Sequence, residues 1–471
     1  MIAMTLAEVA ELTGGVLGGG ADPAGVVHAP IAFDSREVRP GGLFLALPGD
    51  HVDGHDFAPA AIAAGAVAAV VTRQVDVPRI EVADGLAALA ALASSVARRL
   101  PRTVIVGITG SSGKTSTKDL LAQLLERLGP TVAPLGSFNN ELGHPYTVLL
   151  ATPETRFLVL ENSARRIGDI RYLTAIAPPR IGVVLNVGSA HLGEFGSRDA
   201  IAQAKGELIE DLPAAADGGV AVLNADDPVV AAMARRTSAR IVTVGESAAA
   251  DVRATDVRLD ELGRPAFTLN SGGQAVPVGM RLTGEHQVGN ALAAAAVALQ
   301  CGLPLVDVAA GLGAALPRSR WRMELTERAD GVVVINDAYN ANPESMRAAL
   351  KALAGVGRAR GARTIAVLGP MAELGADANA EHDAIGRLAV RLDIARLIAV
   401  GSVARPLAHG AALEGSWDGE SSWVPDVPAA LAWLETHLRP GDVVLVKASR
   451  SAGLERVALA LTGSSAHEAE G

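Results

Sequence analysis

The fold of this 471-residue chain is decided by the stretch Gly107-Ile108-Thr109-Gly110-Ser111-Ser112-Gly113-Lys114-Thr115-Ser116-Thr117. A β-branched run at 103–106 precedes it and is typical of a strand buried in a parallel sheet. Leucines at helical spacing follow it as far as Leu128, and Gly129-Pro130 then predicts the end of that helix. A glycine-rich loop in this position meets a helix N-terminus, whose free N–H groups bind phosphate. The stretch therefore predicts a nucleotide triphosphate site in an ATP-using enzyme.

Side chains and backbone of this loop have separate predicted roles. The glycines allow close backbone approach to phosphate, Lys114 balances the β/γ-phosphate charge, and the Thr115 hydroxyl binds a magnesium ion. The general G-x-x-x-x-G-K-T pattern needs glycine at 108, where this chain has Ile108. The alternative is a glycine-rich turn with a solvated lysine, which the flanking strand and helix patterns disfavour. The loop residues predicted to bind ATP are Gly110, Ser111, Ser112, Gly113, Lys114, Thr115 and Ser116.

Composition restricts the class of protein. A formal net charge of −10 and a pI near 5.5 argue against a nucleic-acid-binding surface, so any anionic substrate must meet local positive groups. Cys301 is the single cysteine, which excludes an internal disulfide and fits a reducing, cytoplasmic compartment. Thr5 and Glu8 have the spacing of a capping box, so the N-terminus predicts a helix and not a cleaved leader. The uncharged run 286–306 is interpreted as a buried helix and not as a membrane span.

Hydrophobic periodicity divides the chain into three predicted α/β domains. Residues 1–100 mix short strands with alanine-rich helices up to Pro101. In 101–316 strand and helix patterns alternate as in a mostly parallel sheet, with antiparallel hairpins at 251–282 and a long alanine helix from Asn290. The rhythm restarts in 317–463 as a smaller α/β unit. Residues 464–471 are predicted to be a disordered tail.

Polar residues at predicted strand ends are the first candidates for chemistry, because ligands collect at the carboxyl ends of parallel strands. Glu161 ends one strand and His191 follows the next, so both could supply magnesium ligands near Thr115. The alternative is an ion-paired glutamate and a structural loop histidine. Lys205, on a predicted helix, would by itself be a solvated lysine. The turn 224–228 could either cap a helix or hold the nucleotide.

Taken together, these residues resemble the Mur ligase family over nearly all of residues 1–460. The phosphate loop has the Mur spacing, which accounts for Ile108. Further segments that match in order are Asp34-Ser35-Arg36, Pro40-Gly41-Gly42-Leu43-Phe44, Asp53-Gly54-His55, Ser137-Phe138-Asn139-Asn140-Glu141-Leu142-Gly143, Ala190-His191-Leu192-Gly193-Glu194-Phe195-Gly196-Ser197, Ala204-Lys205-Gly206-Glu207, Asn336-Asp337-Ala338-Tyr339-Asn340-Ala341-Asn342-Pro343, Met371-Ala372-Glu373-Leu374-Gly375 and Lys447-Ala448-Ser449-Arg450.

The resemblance implies an ATP-dependent ligase that adds D-alanyl-D-alanine to UDP-N-acetylmuramoyl-tripeptide through an acyl phosphate, in peptidoglycan precursor synthesis. It implies an N-terminal UDP-binding domain, a central phosphate-loop domain and a C-terminal Rossmann-like domain. It also implies ATP and two Mg²⁺ ions as cofactors, with Lys205 carbamylated so that its new carboxylate binds metal. The implied partners are small molecules, with no membrane insertion, and the implied state is a monomer.

The same resemblance assigns roles to individual residues. Lys114, Lys205 and His191 would be catalytic, and Thr115, Glu161, His191 and Lys205 would bind metal. The other implied ATP contacts are Asn290, Arg322, Asp337 and Asn340. The implied substrate contacts are Ser35, Arg36, Asn139, Asn140, Glu141, Lys447, Ser449 and Arg450. For Ser35 and Arg36 the alternative is a simple Asx turn, and for 447–450 it is a surface strand end.

Three sites depart from the residues usual in the family: Asn162-Ser163, Trp321 and Pro370. They leave open a divergent paralogue that couples a different amine or dipeptide. A nucleotide-dependent binding module without ligase turnover is a further alternative, which Lys114, His191 and Lys205 disfavour. Because implied ATP contacts lie on both sides of residue 317, the C-terminal domain is expected to close over the loop about a hinge at 316–320.

Overall fold

The computed structural model describes residues 1–49, 52–134, 136–188, 192–416 and 419–463. Their strands form sheets of two, four, nine and six strands, which is the α/β fold class that the sequence predicts. Within these residues no helix is both long and apolar enough to cross a membrane. The predicted tail at 464–471 lies outside the described residues.

The first two sheets belong to the N-terminal part of the chain. Strands β1 and β3 pair antiparallel, and the other four follow the order β2-β6-β5-β4. Thr5 and Glu8 form the predicted capping box at the start of the first helix. The elements are β1 (Met4–Thr5), α1 (Leu6–Thr13), β2 (Val16–Gly18), β3 (Val26–Val27), β4 (Leu43–Leu45), α2 (Ala58–Ala63), β5 (Ala68–Val71), β6 (Arg79–Glu81) and α3 (Gly85–Arg98).

The nine-stranded sheet carries the phosphate loop near its middle, in the order β15-β14-β13-β12-β11-β10-β7-β9-β8. Its strands are β7 (Val104–Thr109), β8 (Thr131–Val132), β9 (Phe157–Glu161), β10 (Ile181–Val184), β11 (Val220–Asn224), β12 (Arg240–Gly245), β13 (Val252–Leu259), β14 (Pro265–Ser271) and β15 (Gln274–Gly279). The pairs are parallel from β8 to β13, and the last two are antiparallel, which confirms the predicted hairpins.

The helices of this region, within the described residues, are α4 (Lys114–Leu125), α5 (Gly143–Leu149), α6 (Asp169–Ile176), α7 (Leu192–Phe195), α8 (Arg198–Glu210), α9 (Pro228–Ala232), α10 (Gln287–Gln300) and α11 (Leu305–Ala314). The alanine-rich α10 packs against α4 and is buried on most sides, which explains why the run 286–306 needs no charge. That run is two helices and not one, because Gly302 turns the chain at φ +92°. Helix α4 ends at Leu125, before the predicted Leu128, which packs in a turn against the same core.

The six-stranded C-terminal sheet follows the order β16-β17-β21-β18-β19-β20. All its pairs are parallel except β16 with β17, and helices pack on both faces. The elements are β16 (Glu324–Glu327), β17 (Val333–Asn336), α12 (Pro343–Arg360), β18 (Thr364–Leu368), α13 (Ala378–Arg391), β19 (Arg396–Val400), α14 (Arg405–Glu414), β20 (Ser421–Val424), α15 (Val427–His437), β21 (Val443–Lys447) and α16 (Glu455–Thr462).

The segment that joins the central and C-terminal sheets is bound to α4. Gln123 exchanges two hydrogen bonds with the backbone of Leu316, at 3.0 and 3.1 Å. Asp119 Oδ2 accepts from Ser319 N at 2.9 Å, and Glu126 pairs with Arg318. Asp119 and Gln123 of α4 and Glu126, which caps this helix, recur at helical spacing and so lie on one face. Residues 316–319, which belong to the predicted hinge 316–320, are therefore bound to this face in this arrangement.

Candidate active site

The phosphate loop lies between β7 and α4, with its backbone wrapped around the start of the helix. Gly113 is in the left-handed region at φ +82°, and a Cβ there would lie 2.4 Å from Asn290 Oδ1, so only glycine fits. Lys114 Nζ donates to Gly110 O at 2.6 Å across the loop. Because α4 begins at Lys114, the loop exposes the free N–H groups of a helix N-terminus, which is the anion-binding geometry that the sequence predicts.

Thr115 and Glu161 meet beneath this loop. Thr115 Oγ1 donates to Glu161 Oε2 at 3.3 Å, and Asn139 Nδ2 donates to the same oxygen at 3.3 Å. Glu161 is fully buried, and its other oxygen, Oε1, has no hydrogen-bond partner within the described residues. A buried carboxylate oxygen without a donor is costly, and carboxylate and hydroxyl oxygens are the ligands that Mg²⁺ prefers. The two side chains therefore fit a magnesium ion.

Lys205 projects from α8 into a buried position, with 3% of its surface exposed. Burial lowers its pKa well below the ordinary value, and the positive charge of Lys114 lowers it further. Among the described residues its ammonium has no hydrogen-bond acceptor. The neutral amine of a lysine is the form that adds carbon dioxide, and a lowered pKa favours this form. Lys205 therefore fits the carbamate that the resemblance implies.

The other predicted metal ligand, His191, lies outside the described residues. Within the described part of the chain, no group of three or more His, Cys, Asp or Glu side chains is placed to hold a metal ion. The contribution of His191 to a metal site therefore stays a prediction.

Arg322 connects the C-terminal sheet with the phosphate loop. Its Nη2 donates to Ser137 Oγ at 2.8 Å and to Thr115 Oγ1 at 3.3 Å, and its guanidinium lies 4.2 Å from the centroid of the Tyr339 ring. Asn342 Nδ2 donates to Ser111 O at 3.3 Å. The two sheets thus meet at the loop, and a cationic side chain lies beside the hydroxyl predicted to bind magnesium.

A cavity of about 1660 Å³ opens between the two sheets. Its lining includes most of the predicted site residues, from both sides. These are Ser111, Ser112, Gly113, Lys114, Thr115, Ser116, Asn139, Asn140, Glu141, Asn290, Arg322, Asp337, Asn340, Lys447 and Arg450. Four further predicted residues are not part of this lining: Gly110, Glu161, Lys205 and Ser449.

Several predicted substrate contacts are occupied by other protein groups. Lys447 Nζ donates to Asp337 Oδ2 at 2.5 Å, and Ser449 Oγ accepts from Ala372 N at 2.9 Å. The Arg450 guanidinium lies 4.2 Å from the Trp321 ring centroid and pairs with Glu455 at 2.8 Å.

Ser35 and Arg36 lie apart from this cavity, in a short 3-10 turn of the N-terminal part. Asp34 Oδ1 accepts from Arg36 N at 2.9 Å, which is the Asx turn of the alternative interpretation. The Arg36 side chain also pairs with Asp34 and is 88% exposed. Their assignment to the nucleotide of the substrate stays a prediction.

The turn 224–228 caps a helix, which is one of the two roles that its sequence left open, and its contact with the nucleotide stays a prediction. Asp227 Oδ1 accepts from Val229 N and Val230 N, so it caps α9. Asn224 and Asp226 line the cavity. Asp226 is also engaged by the backbone N–H groups of 246–247, which fixes the turn.

Sequence reasoning missed Ser137 as a site residue. Its hydroxyl lies 2.9 Å from Thr115 Oγ1 and accepts from Arg322, so it links the phosphate loop to the C-terminal sheet. A loop serine has no spacing signature; its place just before Asn139-Asn140 was the one signal that could have found it. Ser163, at a departure from the family pattern, donates to Asn139 O at 2.8 Å and so supports the residue that contacts Glu161.

Comparisons with known proteins agree with this arrangement. The profile of the Mur ligase family catalytic domain matches residues 29–97, that of the Mur ligase middle domain matches 108–298, and that of the Mur ligase glutamate ligase domain matches 321–450. The UDP-N-acetylmuramoyl-tripeptide--D-alanyl-D-alanine ligase of Mycobacterium tuberculosis is 54% identical over 98% of both chains, and that of Escherichia coli is 35% identical over 98% of this chain and 99% of its own.

Solved structures give the same result. A crystal structure of MurF from Acinetobacter baumannii has a TM-score of 0.86 and 32% identity, covering 98% of this chain and 99% of its own. MurF ligase from Thermotoga maritima in complex with ADP has a TM-score of 0.76 and 30% identity, covering 92% and 96%.

Proposed function

The chain belongs to the Mur ligase family and is an ATP-dependent ligase. From this premise we propose that it joins D-alanyl-D-alanine to the terminal carboxylate of UDP-N-acetylmuramoyl-tripeptide, the reaction for which its relatives are named. The observation that carries the proposal is the meeting of Lys114, Thr115 and Glu161 of one sheet with Arg322 of the other. The side chains that we propose as phosphate ligands therefore line one cavity from both sides.

A carboxylate is a poor acyl donor, because its leaving oxygen is too basic, and ATP supplies the activation. The tripeptide carboxylate attacks the γ-phosphate, ADP leaves, and an acyl phosphate forms. The dipeptide amine then attacks the carbonyl carbon, loses a proton, and phosphate departs as the amide forms. Lys114 and Arg322 stabilise the charge on the transferring phosphoryl group, and the cavity walls exclude the water that would hydrolyse the acyl phosphate.

Magnesium fits the oxygen cluster of Thr115 and Glu161, with Lys205 as a carbamate and His191 as the remaining proposed ligands. When bound, two such ions would neutralise phosphate charge. Burial lowers the pKa of Lys114 as well, and the Glu161 carboxylate opposes that shift. Glu161 therefore helps to keep Lys114 cationic for its contact with phosphate.

The remaining assignments follow from the substrates. The donor is a UDP-linked molecule, so we place its nucleotide on the N-terminal part near Ser35 and Arg36, with its peptide passing Asn139, Asn140 and Glu141 toward the loop. Adenine lies near Asn290, Asn340 is a further ATP contact, and the dipeptide enters past Arg450. Because ATP and a UDP-linked precursor are consumed, we place the protein in the cytoplasm. The family resemblance supports a monomer.

Phosphate release with each substrate omitted in turn tests this function. We expect release only when ATP, the UDP-linked tripeptide and D-alanyl-D-alanine are all present, and a product mass equal to tripeptide plus dipeptide less one water. Phosphate release that needs neither the tripeptide nor the dipeptide would identify a nucleotide-dependent binding module instead. Product formed only with another amine would identify a divergent paralogue.

A further inference from the structure

Asp337 and Lys447 form a buried ion pair beside the turn that carries Arg322. Lys447 Nζ donates to Asp337 Oδ2 at 2.5 Å and to Asn340 O at 2.9 Å. The two side chains, Lys447 and Asp337, are 2% and 11% exposed. Removal of either partner of such a pair leaves a buried charge without compensation, so the two residues depend on each other.

The second oxygen of Asp337 holds the turn itself. Oδ1 accepts from Met323 N at 3.1 Å, and Tyr339 N donates to Trp321 O at 3.3 Å. Trp321 and Met323 have φ values of +58° and +53°, which residues other than glycine rarely adopt. Both residues that flank Arg322 are therefore strained, and the end of β17 supplies the contacts that keep them so.

Arg322 at the apex of this turn reaches the phosphate loop. Its contacts with Ser137 and Thr115 depend on the direction in which the turn points. A continuous set of contacts thus runs from Lys447 through Asp337 and the Met323 N–H group to Arg322 and the loop hydroxyls.

We propose that Asp337 and Lys447 are a positioning pair, which sets the 321–323 turn so that the Arg322 guanidinium meets the γ-phosphoryl group at Thr115. They act on phosphoryl transfer through Arg322. The inference rests on the proposed function, because it needs phosphate to be transferred at this loop. Since misplacement of a charged group by about 1 Å can cost about 100-fold in rate, the pair matters for turnover more than for nucleotide affinity.

A double-mutant cycle tests the dependence on Arg322. Asp337→Asn is expected to lower kcat by about 100-fold, with ATP affinity, measured by calorimetry, changed less than about 3-fold. In an Arg322→Ala background the same substitution should lower kcat by less than about 2-fold, because Asp337 then has no guanidinium to position. Full additivity of the two changes would overturn the inference.

Asp442 provides a matched control, since it lies beside the other end of β21 and pairs with Arg363 at 2.5 Å with 4% of its side chain exposed. Asp442→Asn should lower the Tm about as much as Asp337→Asn and leave kcat within about 2-fold. Lys447→Arg should retain more kcat than Lys447→Met.

Equal kcat losses in the two aspartate variants would show a merely structural role and overturn the inference. A wild-type protein that forms no ligated product would overturn the proposed function, whereas additivity in an active enzyme overturns the positioning pair alone.

Discussion

At the scale of single residues, Trp321 shows how the chain departs from its family. Its left-handed φ of +58° is the conformation that glycine adopts without cost, which explains why glycine is usual before the arginine. Trp321 is nonetheless buried, and Arg450 lies against its ring. Burial and the cation–π contact offset the backbone strain, so this departure concerns stability and the placement of Arg450.

Trp321→Gly should therefore destabilise the protein despite the relieved strain. Loss of a buried tryptophan costs about 3–5 kcal/mol, against a gain of about 1 kcal/mol from the backbone. Denaturant unfolding measures the difference. The control is Asp393→Gly, at an exposed residue with φ +60°, which should be neutral or slightly stabilising. A Trp321→Gly protein as stable as wild type would contradict this balance.

Lys205 and Lys118 are both buried but differ in their partners. Lys118 pairs with Asp119 at 2.6 Å and donates to Pro134 O at 2.5 Å, whereas Lys205 has no acceptor among the described residues. We expect ¹³C-bicarbonate to give a carbamate signal by NMR in the wild type that survives in Lys118→Gln and disappears in Lys205→Gln. Because the neutral amine is the reactive form, the signal should weaken as the pH falls. No carbamate signal in the wild type would contradict the assignment.

At the scale of elements, α5 contains a histidine that links stability to pH. His144 is fully buried, and neither ring nitrogen has a hydrogen-bond partner within the described residues. Burial lowers its pKa from 6.5 to about 3. Between pH 3 and pH 6.5 the imidazole of His144 is protonated in the unfolded chain and neutral in the folded chain. Its contribution to the stability of the folded state is therefore complete above pH 6.5 and is lost as the pH falls toward 3.

His144→Leu should flatten the pH dependence of the free energy of unfolding in that window, because a tenfold change in proton affinity between the folded and unfolded chain is worth about 1.4 kcal/mol. Denaturant unfolding between pH 7 and pH 4 gives the slope. His409→Leu, at an exposed residue of α14, should keep the wild-type slope. If His144→Leu also keeps the wild-type slope, a group other than His144 causes the pH dependence of the free energy of unfolding.

At the scale of the whole molecule, the sequence predicts the sheets better than the contacts between them. The alternating strands and helices of 317–463 and the hairpins of 251–282 are present, because period-two patterns and turn residues are local signals. The domain boundaries remain predictions. The phosphate loop could also be found from sequence, since strand, glycines and helix are adjacent in the chain.

Contacts between distant segments carry no such signal. Nothing in the spacing of Asp119, Gln123 and Glu126 predicts that they bind residues 316–319, and nothing marks Ser137 as the link between Thr115 and Arg322. The Lys447–Asp337 pair is likewise formed by the ends of two neighbouring strands, β21 and β17, which only the sheet order brings together. These contacts decide how the two sheets face each other across the cavity.

The central claim is that ATP activates the tripeptide by phosphorylating its terminal carboxylate. It is tested most directly with tripeptide labelled with ¹⁸O in that carboxylate and mass spectrometry of the released phosphate. The account predicts that each amide formed yields phosphate with one labelled oxygen, because the carboxylate oxygen that attacks phosphorus leaves with it. Amide formation with unlabelled phosphate, or with the label in the nucleotide product, would contradict it.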